Sequence, residues 1–346
     1  MIRRRSALGA SILTAVALAM VAASPGLAQS PAAPLHVEGA FATPIEEPWD
    51  GVIHSALQKQ ADAGRITYHF TDAIGYTGDM ERVLREIADG GPSVIFGDAF
   101  VNEDAVLTVA ADYPAIPFVF GSDTGFADPN LSVFDNWIHE PAYLAGMLAG
   151  GLTKSNVIGV VAAMPIPEVN RLVNAFIQGA HAVNDQVDVK VSYINSFFDL
   201  ASANEAAQAQ IEAGADVLYA ERAGVIEAAD AAGNVLAIGN MSDQKEIAPA
   251  TVVTSVTWNM DPTVDYVLTQ VAAGTYTAQD LKDFSTMAKG GAALADINTD
   301  VTGGVPQDLI DAVKAKEADI LSGAFRVDIN ESTPAGSNTV VASAAP

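Results

Sequence analysis

The sequence predicts an α/β protein made of two doubly wound lobes, each a parallel sheet flanked by helices, joined by three hinge crossings of the chain. Three observations lead there. Apolar runs of strand length alternate with amphipathic helical stretches along the whole body, the signature of parallel βαβ units. The alternation breaks after the run ending at Phe120, where Gly121-Ser122-Asp123-Thr124-Gly125 leads into a further extended piece, Leu131–Asn136. Two later irregularities, Trp258-Asn259-Met260-Asp261-Pro262 and the stretch Gly274–Phe284, supply two more places for the chain to cross. Such a hinged pair encloses a cleft; the alternative is one large sheet with insertions.

In chain order, strands are expected at Leu35–Phe41, Ile66–Thr71, Ser93–Gly97 and Ile116–Phe120, with helices Asp50–Ala63, Gly78–Ala88 and Glu103–Tyr113 between them. After Leu131–Asn136 come helix Glu140–Leu152, strand Asn156–Ala163, helix Pro167–Asn184, strand Val187–Ile194 and helix Ser202–Ala213. Strand Asp216–Ala220, helix Gly224–Ala232, strands Val235–Gly239 and Thr251–Val256, and helix Thr263–Ala273 complete the pattern. The helices carry apolar residues at helical spacing. Pro141 and Pro167 fall in first turns, where a missing amide hydrogen costs nothing. Ser202-x-x-Glu205 has the form of a capping box. Leu172, Val173, Phe176, Ile177, Ala180 and Val183 share one helix face, which is expected in a core. The first lobe is expected to hold residues 35–135 and 258–277, the second 136–257 and 278–330.

The chain has 346 residues, half of them apolar, with 17 basic against 42 acidic side chains and a net charge of −25. That balance excludes a surface that tracks nucleic-acid phosphates. With no cysteine, thiol catalysis, thiolate metal sites, disulfides and a lipid anchor on an N-terminal cysteine are excluded. Met1-Ile2-Arg3-Arg4-Arg5, an apolar run from Ala7 to Ala23, and small residues before a cut after Ala28 read as an export signal over residues 1–28. No second apolar run reaches spanning length, so the product is expected free in the periplasm, without a lipid anchor. Gln29–Pro34 reads as a linker and the polar tail 331–346 as disordered.

Enzyme signals are weak. The chain has no Gly-x-Ser-x-Gly elbow, no phosphate-binding loop and no His-Glu-x-x-His helix. Gly150-Gly151-Leu152-Thr153-Lys154-Ser155 lacks the Gly-Lys junction of a phosphate loop and reads as a helix end. The five histidines, His36, His54, His69, His139 and His181, have no metal-ligand spacing, and Asp128–Asp135 lacks a calcium pattern. No catalytic residue, metal or cofactor is expected. Several large or polar residues instead sit just past the carboxyl ends of predicted strands: Trp49, Asp98 and Phe100, Glu221 and Arg222, and Asn240. In open α/β sheets that edge is where ligands bind. Trp258, at an inferred crossing, adds a second large aromatic.

Glu140-Pro141-Ala142-Tyr143-Leu144-Ala145-Gly146-Met147-Leu148-Ala149-Gly150 is followed by Ile158-Gly159-Val160-Val161, Met164-Pro165-Ile166-Pro167-Glu168-Val169-Asn170 and Phe176-Ile177-Gln178-Gly179-Ala180. Later come Asn195-Ser196-Phe197-Phe198-Asp199, Glu212-Ala213-Gly214-Ala215-Asp216-Val217, Ala237-Ile238-Gly239 with Asp243-Gln244, and Val253-Thr254-Ser255-Val256. In order and spacing these resemble the basic membrane protein family, the purine nucleoside receptor-like solute-binding proteins of ABC importers. The resemblance covers about Leu35 to Ile297. It implies a type I periplasmic-binding-protein fold, a purine base or nucleoside as ligand, and an ABC permease as partner. It implies a stacking role for Trp49. Two departures bear on the ribose: the family's Ile-Gly-Val-Asp reads Ile238-Gly239-Asn240-Met241, and its lysine after the Thr-Ser-Val strand is Trp258. A purine base such as adenine then fits at least as well as a nucleoside, stacked by Trp49 and Trp258, with Phe100 and Phe198 as further aromatics and Asp98, Glu221, Arg222 and Asn240 reading its edge. A monomer is expected. A ligand sensor and an exported nucleoside hydrolase are the alternatives.

Overall fold

The computed structural model describes residues 33–122 and 125–339. The expected export signal, Asp123, Thr124 and residues 340–346 of the expected tail lie outside the described residues.

The first lobe runs β1 (Leu35–Ala40), α1 (Pro48–Asp62), β2 (Ile66–Thr71), α2 (Met80–Asp89), β3 (Val94–Asp98), α3 (Glu103–Asp112), β4 (Phe118–Gly121) and β5 (Leu131–Phe134). Its five strands are parallel in the order β2-β1-β3-β4-β5. Every residue of β3, β4 and β5 is buried, because helices cover both faces; this is why they read as unbroken apolar runs.

The second lobe runs α4 (His139–Leu152), β6 (Val157–Ala162), α5 (Pro167–Val183), β7 (Asp188–Tyr193), α6 (Leu200–Glu212), β8 (Val217–Ala220), α7 (Val225–Ala232), β9 (Leu236–Met241) and β10 (Val252–Trp258). After α8 (Asp261–Ala273) come β11 (Ala292–Leu294), α9 (Gln307–Ser322) and β12 (Asn338–Thr339). The sheet order is β11-β10-β9-β8-β6-β7-β12, with β11 antiparallel to β10. Its five inner strands, β7-β6-β8-β9-β10, repeat the winding of the first sheet. The two similar parallel-sheet lobes are those expected.

Helices α4 and α5 pack with their backbones almost touching. A Cβ on Gly146 would lie 2.0 Å from the Phe176 carbonyl oxygen, and one on Gly179 would lie 1.9 Å from that of Tyr143. Only glycine permits that approach. The core-facing stripe of α5 buries Leu172, Val173, Phe176 and Ala180 as expected, but Ile177 is only partly covered and Val183, in the last turn, stays 41% exposed. The Lys154 and Ser155 amides after α4 are both taken by the Asp216 carboxylate, at 2.7 and 2.9 Å. The loop that superficially suggests phosphate binding is therefore an internally capped helix end.

The crossings fall at residues 135–138, 259–260 and 285–291, and a hydrogen-bonded chain ties them together. The Trp258 indole N–H donates to the Ser285 hydroxyl at 3.1 Å, and that hydroxyl donates to the carbonyl of Asp135. Helix α8 lies on the first lobe, where Asp261 and Asp265 pair with Lys59 and Arg65 near the end of α1.

Three boundaries differ from expectation. Residues 278–284 stay on the first lobe: Gln279 N–H donates to the Ser132 hydroxyl at 3.1 Å and Leu281 N–H to the Val133 carbonyl at 2.7 Å. The return crossing therefore comes after residue 284, not 277; this edge segment has no periodicity to mark it. Helix α6 begins at Leu200 and its cap is Asp199, which accepts the Ser202 N–H at 3.0 Å, so Ser202 is inside the helix rather than its cap. Residues 331–339 of the expected tail pack on the second lobe. Asn170 and Asn174 of α5 donate to the carbonyls of Glu331, Asn330 and Ser332 at 2.8–3.0 Å, and β12 pairs with β7. Amides of α5 hold this strap by its backbone, so its own side chains carry no apolar pattern.

Candidate functional site

Each sheet has a switch point where successive strands depart to opposite sides, between β1 and β3 in the first lobe and between β6 and β8 in the second. Ligand crevices in doubly wound sheets lie outside the carboxyl ends of the strands at such points. Here the two crevices face each other and share one cavity. Thr43, Glu47 and Trp49 come from the loop and helix start after β1, Tyr76 follows β2, Asp98 and Phe100 end and follow β3, and Ser122 follows β4. From the other lobe come Glu168 after β6, Phe197 after β7 and Arg222 after β8. The space these ten side chains leave is about 20 Å³, room for about one water.

The lobes are tied across this cavity by Arg222. Its guanidinium donates to the Glu47 carboxylate at 3.0 Å, to Glu221 at 2.8 and 3.0 Å, and to the Phe197 carbonyl at 2.8 Å. Glu47 is held in place because it caps α1: one oxygen accepts the Trp49 and Asp50 amides at 2.8 and 3.2 Å, leaving the other for Arg222. Burial opposes charge on Arg222, but Glu221 and Glu47 more than offset it and hold its pKa above the ordinary range. Burial likewise pushes the Glu221 carboxyl upward, with Arg222 opposing.

The remaining acids lack such a partner. Burial pushes the Asp98 carboxyl up to about 7, against hydrogen bonds from the Phe100 amide and the Ser122 hydroxyl. Asp50 accepts the Thr43 amide at 3.0 Å and its hydroxyl at 2.6 Å, yet burial and then Asp98 and Glu47 raise its pKa well above normal. Glu168, in the first turn of α5, is raised by burial and then by Asp135, with Arg171 opposing. At the lip, Phe100 meets Phe197 of the other lobe edge to face at 5.0 Å and meets Tyr76 at 6.0 Å. The Arg222 guanidinium lies 5.6 Å from the Phe197 ring.

Of the residues singled out from sequence, Trp49, Asp98, Phe100 and Arg222 meet on the cavity wall. Glu221 stands behind, holding Arg222. Asn240 is also behind, accepting the Tyr219 hydroxyl at 2.8 Å. Phe198 is 39% exposed and off the wall; its neighbour Phe197 turns inward instead. Trp258 lines a separate outer groove of about 580 Å³ beside α1. The expected sandwich does not form here. The Trp49 and Trp258 rings are 5.0 Å apart and tilted by 44°, and Phe134 packs on both, at 5.8 and 6.1 Å. A planar ring between two others needs about 7 Å, twice the usual carbon contact. Glu47, Thr43, Tyr76, Ser122, Glu168 and Phe197 were missed. Each lies beyond a strand's carboxyl end, so the rule that found Trp49 and Asp98 also covers them.

Among the described residues no helix is long and apolar enough to cross a membrane. A family model described as ABC transporter substrate-binding protein PnrA-like matches residues 45–291. A purine-binding protein of Brucella abortus is 29% identical over 266 residues, which is 76% of this chain and 73% of that relative. A protein of Haloferax volcanii named as an ABC transporter glucose-binding protein is 43% identical over 154 residues, 44% of this chain and only 39% of the relative's own length. The crystal structure of an ABC transporter solute-binding protein from Aeropyrum pernix superposes with a TM-score of 0.73 at 18% identity, covering 87% of this chain and 94% of that one, a likeness of fold. With facing switch points in two like-wound lobes and a family match over most of the folded body, this chain belongs to the PnrA-like family of ABC transporter substrate-binding proteins.

Proposed function

We propose that this chain captures a purine base or purine nucleoside between its lobes in the periplasm and delivers it to an ABC permease, as a monomer and without performing chemistry. One observation carries the reading: the switch points of both sheets open onto a single cavity walled by aromatic rings and carboxylates from both lobes. The Brucella abortus relative supports a purine. So does the wall itself, since Trp49, Phe100, Phe197 and Tyr76 offer flat apolar surface to a heterocycle. A cavity of about 20 Å³ cannot admit a purine as it stands. Entry requires the lobes to part about their crossings and close again, a hinge equilibrium that a ligand shifts by binding the closed form better. A permease that recognises only the closed form reads occupancy.

The test is titration calorimetry of the mature protein, unfolded and refolded to release carried-over solute, against adenine, adenosine, guanosine, ribose and glucose. Binding of a purine with none of ribose or glucose is the expected result; no purine binding refutes the ligand. A sugar is the second reading, favoured by the 43% identity to the glucose-binding relative, and selective binding of glucose would establish it. Chromatography of the nucleoside mixtures after incubation should show no free base; its appearance would make the protein a hydrolase.

A further inference from the structure

The walls of the cleft also specify the polarity of what it holds, given the proposal that it holds a solute at all. Their polar atoms are mostly oxygens: carboxylates of Glu47, Asp98 and Glu168, and hydroxyls of Thr43, Tyr76 and Ser122. Among the described residues Arg222 is the one cation on the wall, and it already donates to Glu221, Glu47 and the Phe197 carbonyl. Both oxygens of Glu47 are also engaged, one by Arg222 and the other by two amides. Asp98 accepts the Phe100 amide at 3.0 Å and the Ser122 hydroxyl but has no cation beside it, and Glu168 differs further. They line the same cavity from opposite lobes. Among the described residues no hydrogen bond or ion pair reaches the Glu168 carboxylate; Arg171, one turn further along α5, directs its two terminal nitrogens to Glu331 and Asp135, both at 2.7 Å. A second, independent sign comes from Trp49, which lines the cavity and is 7% exposed: its indole N–H has no partner among the described residues. A buried donor without a partner is costly and marks a place where a bound molecule supplies an acceptor, while the half-buried Glu168 carboxyl leaves acceptors on the other wall.

We propose that the cleft selects solutes whose recognised edge carries N–H donors or a positive charge, received by Glu168 and Asp98 from opposite lobes, and rejects anionic solutes such as phosphorylated forms. A donor or cationic edge placed between the two acids favours their ionised form and makes charge-assisted hydrogen bonds to both lobes, so the same contact confers selectivity and draws the cleft shut. An anion would add a further negative charge where the only wall cation is already engaged.

Two matched series test this by calorimetry on the refolded mature protein. Guanosine, inosine and xanthosine present at C2 an amino group, a hydrogen and a carbonyl; glucosamine and glucose differ by an ammonium. Guanosine should bind at least about tenfold tighter than inosine, with xanthosine weakest and guanosine 5′-monophosphate not binding. Glu168→Gln should bring the guanosine-to-inosine ratio toward one, and Asp98→Asn serves as the second variant if the first does not fold. Equal binding of guanosine and inosine, or an unchanged ratio in the variants, overturns the proposal and leaves the purine reading intact. If no purine binds, the purine reading falls and the sugar pair decides: glucosamine tighter than glucose supports the donor preference, and glucose equal or tighter overturns it. Binding of neither series overturns both.

Discussion

Replacing Arg222 by methionine removes the side chain that joins Glu47 of the first lobe to Glu221 of the second. Arg222, Glu47 and Glu221 have side chains only 3, 2 and 1% exposed, so the guanidinium is paired where water cannot substitute for it. Without it Glu221 keeps the Ala163 amide at 2.9 Å and Glu47 keeps two amides, but two buried carboxylates are left with no cation between them. Breaking a buried pair in this way costs about 3–5 kcal/mol. The lobes can relieve that cost by parting, which rehydrates both acids, so the closed form should lose about two to four powers of ten relative to the open one. Small-angle scattering should show a larger radius of gyration, and equilibrium denaturation a smaller loss than the full figure, because opening relieves part of it. Arg222→Lys keeps the charge but not the planar fork and should fall between the two. Scattering unchanged from wild type, together with a stability loss under about 1 kcal/mol, would show that the pair does not hold the lobes and would sink the argument.

Other consequences can be measured on the same protein. Trp49→Ala removes a ring packed on Phe134 and Trp258, so besides weakening ligand binding it should cost about 3–5 kcal/mol in denaturation; a loss below 1 kcal/mol would show the ring cluster is not core. Gly121→Ala places a Cβ 2.0 Å from the Trp49 ring and should destabilise by about 1–3 kcal/mol while changing no charge, so wild-type stability would refute the packing. With the Asp98 carboxyl at about 7 against an ordinary 3.8, the folded protein holds this proton longer than the unfolded chain. Its contribution to stability is full below about pH 4 and is lost as pH rises through about 7. His139, lowered to about 4, works in the opposite direction over much of the same window, so the reading is the difference between wild type and Asp98→Asn. That difference should move in favour of the variant as pH rises from 4 to 7, and a flat difference refutes the shift.

The winding of both sheets was legible because parallel strands buried on both faces must be apolar throughout, and helices between them must alternate faces. The crossings were legible as breaks in that rhythm. What escaped was whatever is held by backbone atoms: the edge segment 278–284 on Ser132 and Val133, and the strap at 330–332 on Asn170 and Asn174, where the recognised groups are carbonyls and amides that every residue has. The site was legible to the level of loops. The strand-end rule named the right edge, but Phe197 and Phe198 are equally aromatic and adjacent, and only the backbone turn beginning at Asn195, with φ of 55°, decides which one turns inward. Glu47 was missed for a related reason: an acid before Pro-Trp reads as a helix cap, which it is, and nothing local says that its second oxygen reaches Arg222, 175 positions away.

The substitution of tryptophan at position 258 for the lysine the family resemblance suggests is better read through the hinge than through the ligand. Phe134 and Trp258 are the last strand residues before the first two crossings, and Trp49 packs on both. Displacement on opening grows with distance from the axis, so contacts beside the crossings persist while those at the lip part. In the opening motion proposed above, the Trp49, Phe134 and Trp258 cluster, fastened by the Trp258 indole to Ser285 and through it to Asp135, is the part expected to stay fixed. Phe100 against Phe197 and Glu47 against Arg222 are the contacts that open. A charged lysine at 258 would have to be solvated or paired among these rings; a tryptophan fills the same place with apolar surface and one N–H that already has its acceptor. On that reading Trp49 belongs to the pivot and to the cavity wall at once, so the ligand is sensed where the lobes stay fixed as well as at the lip, where they part.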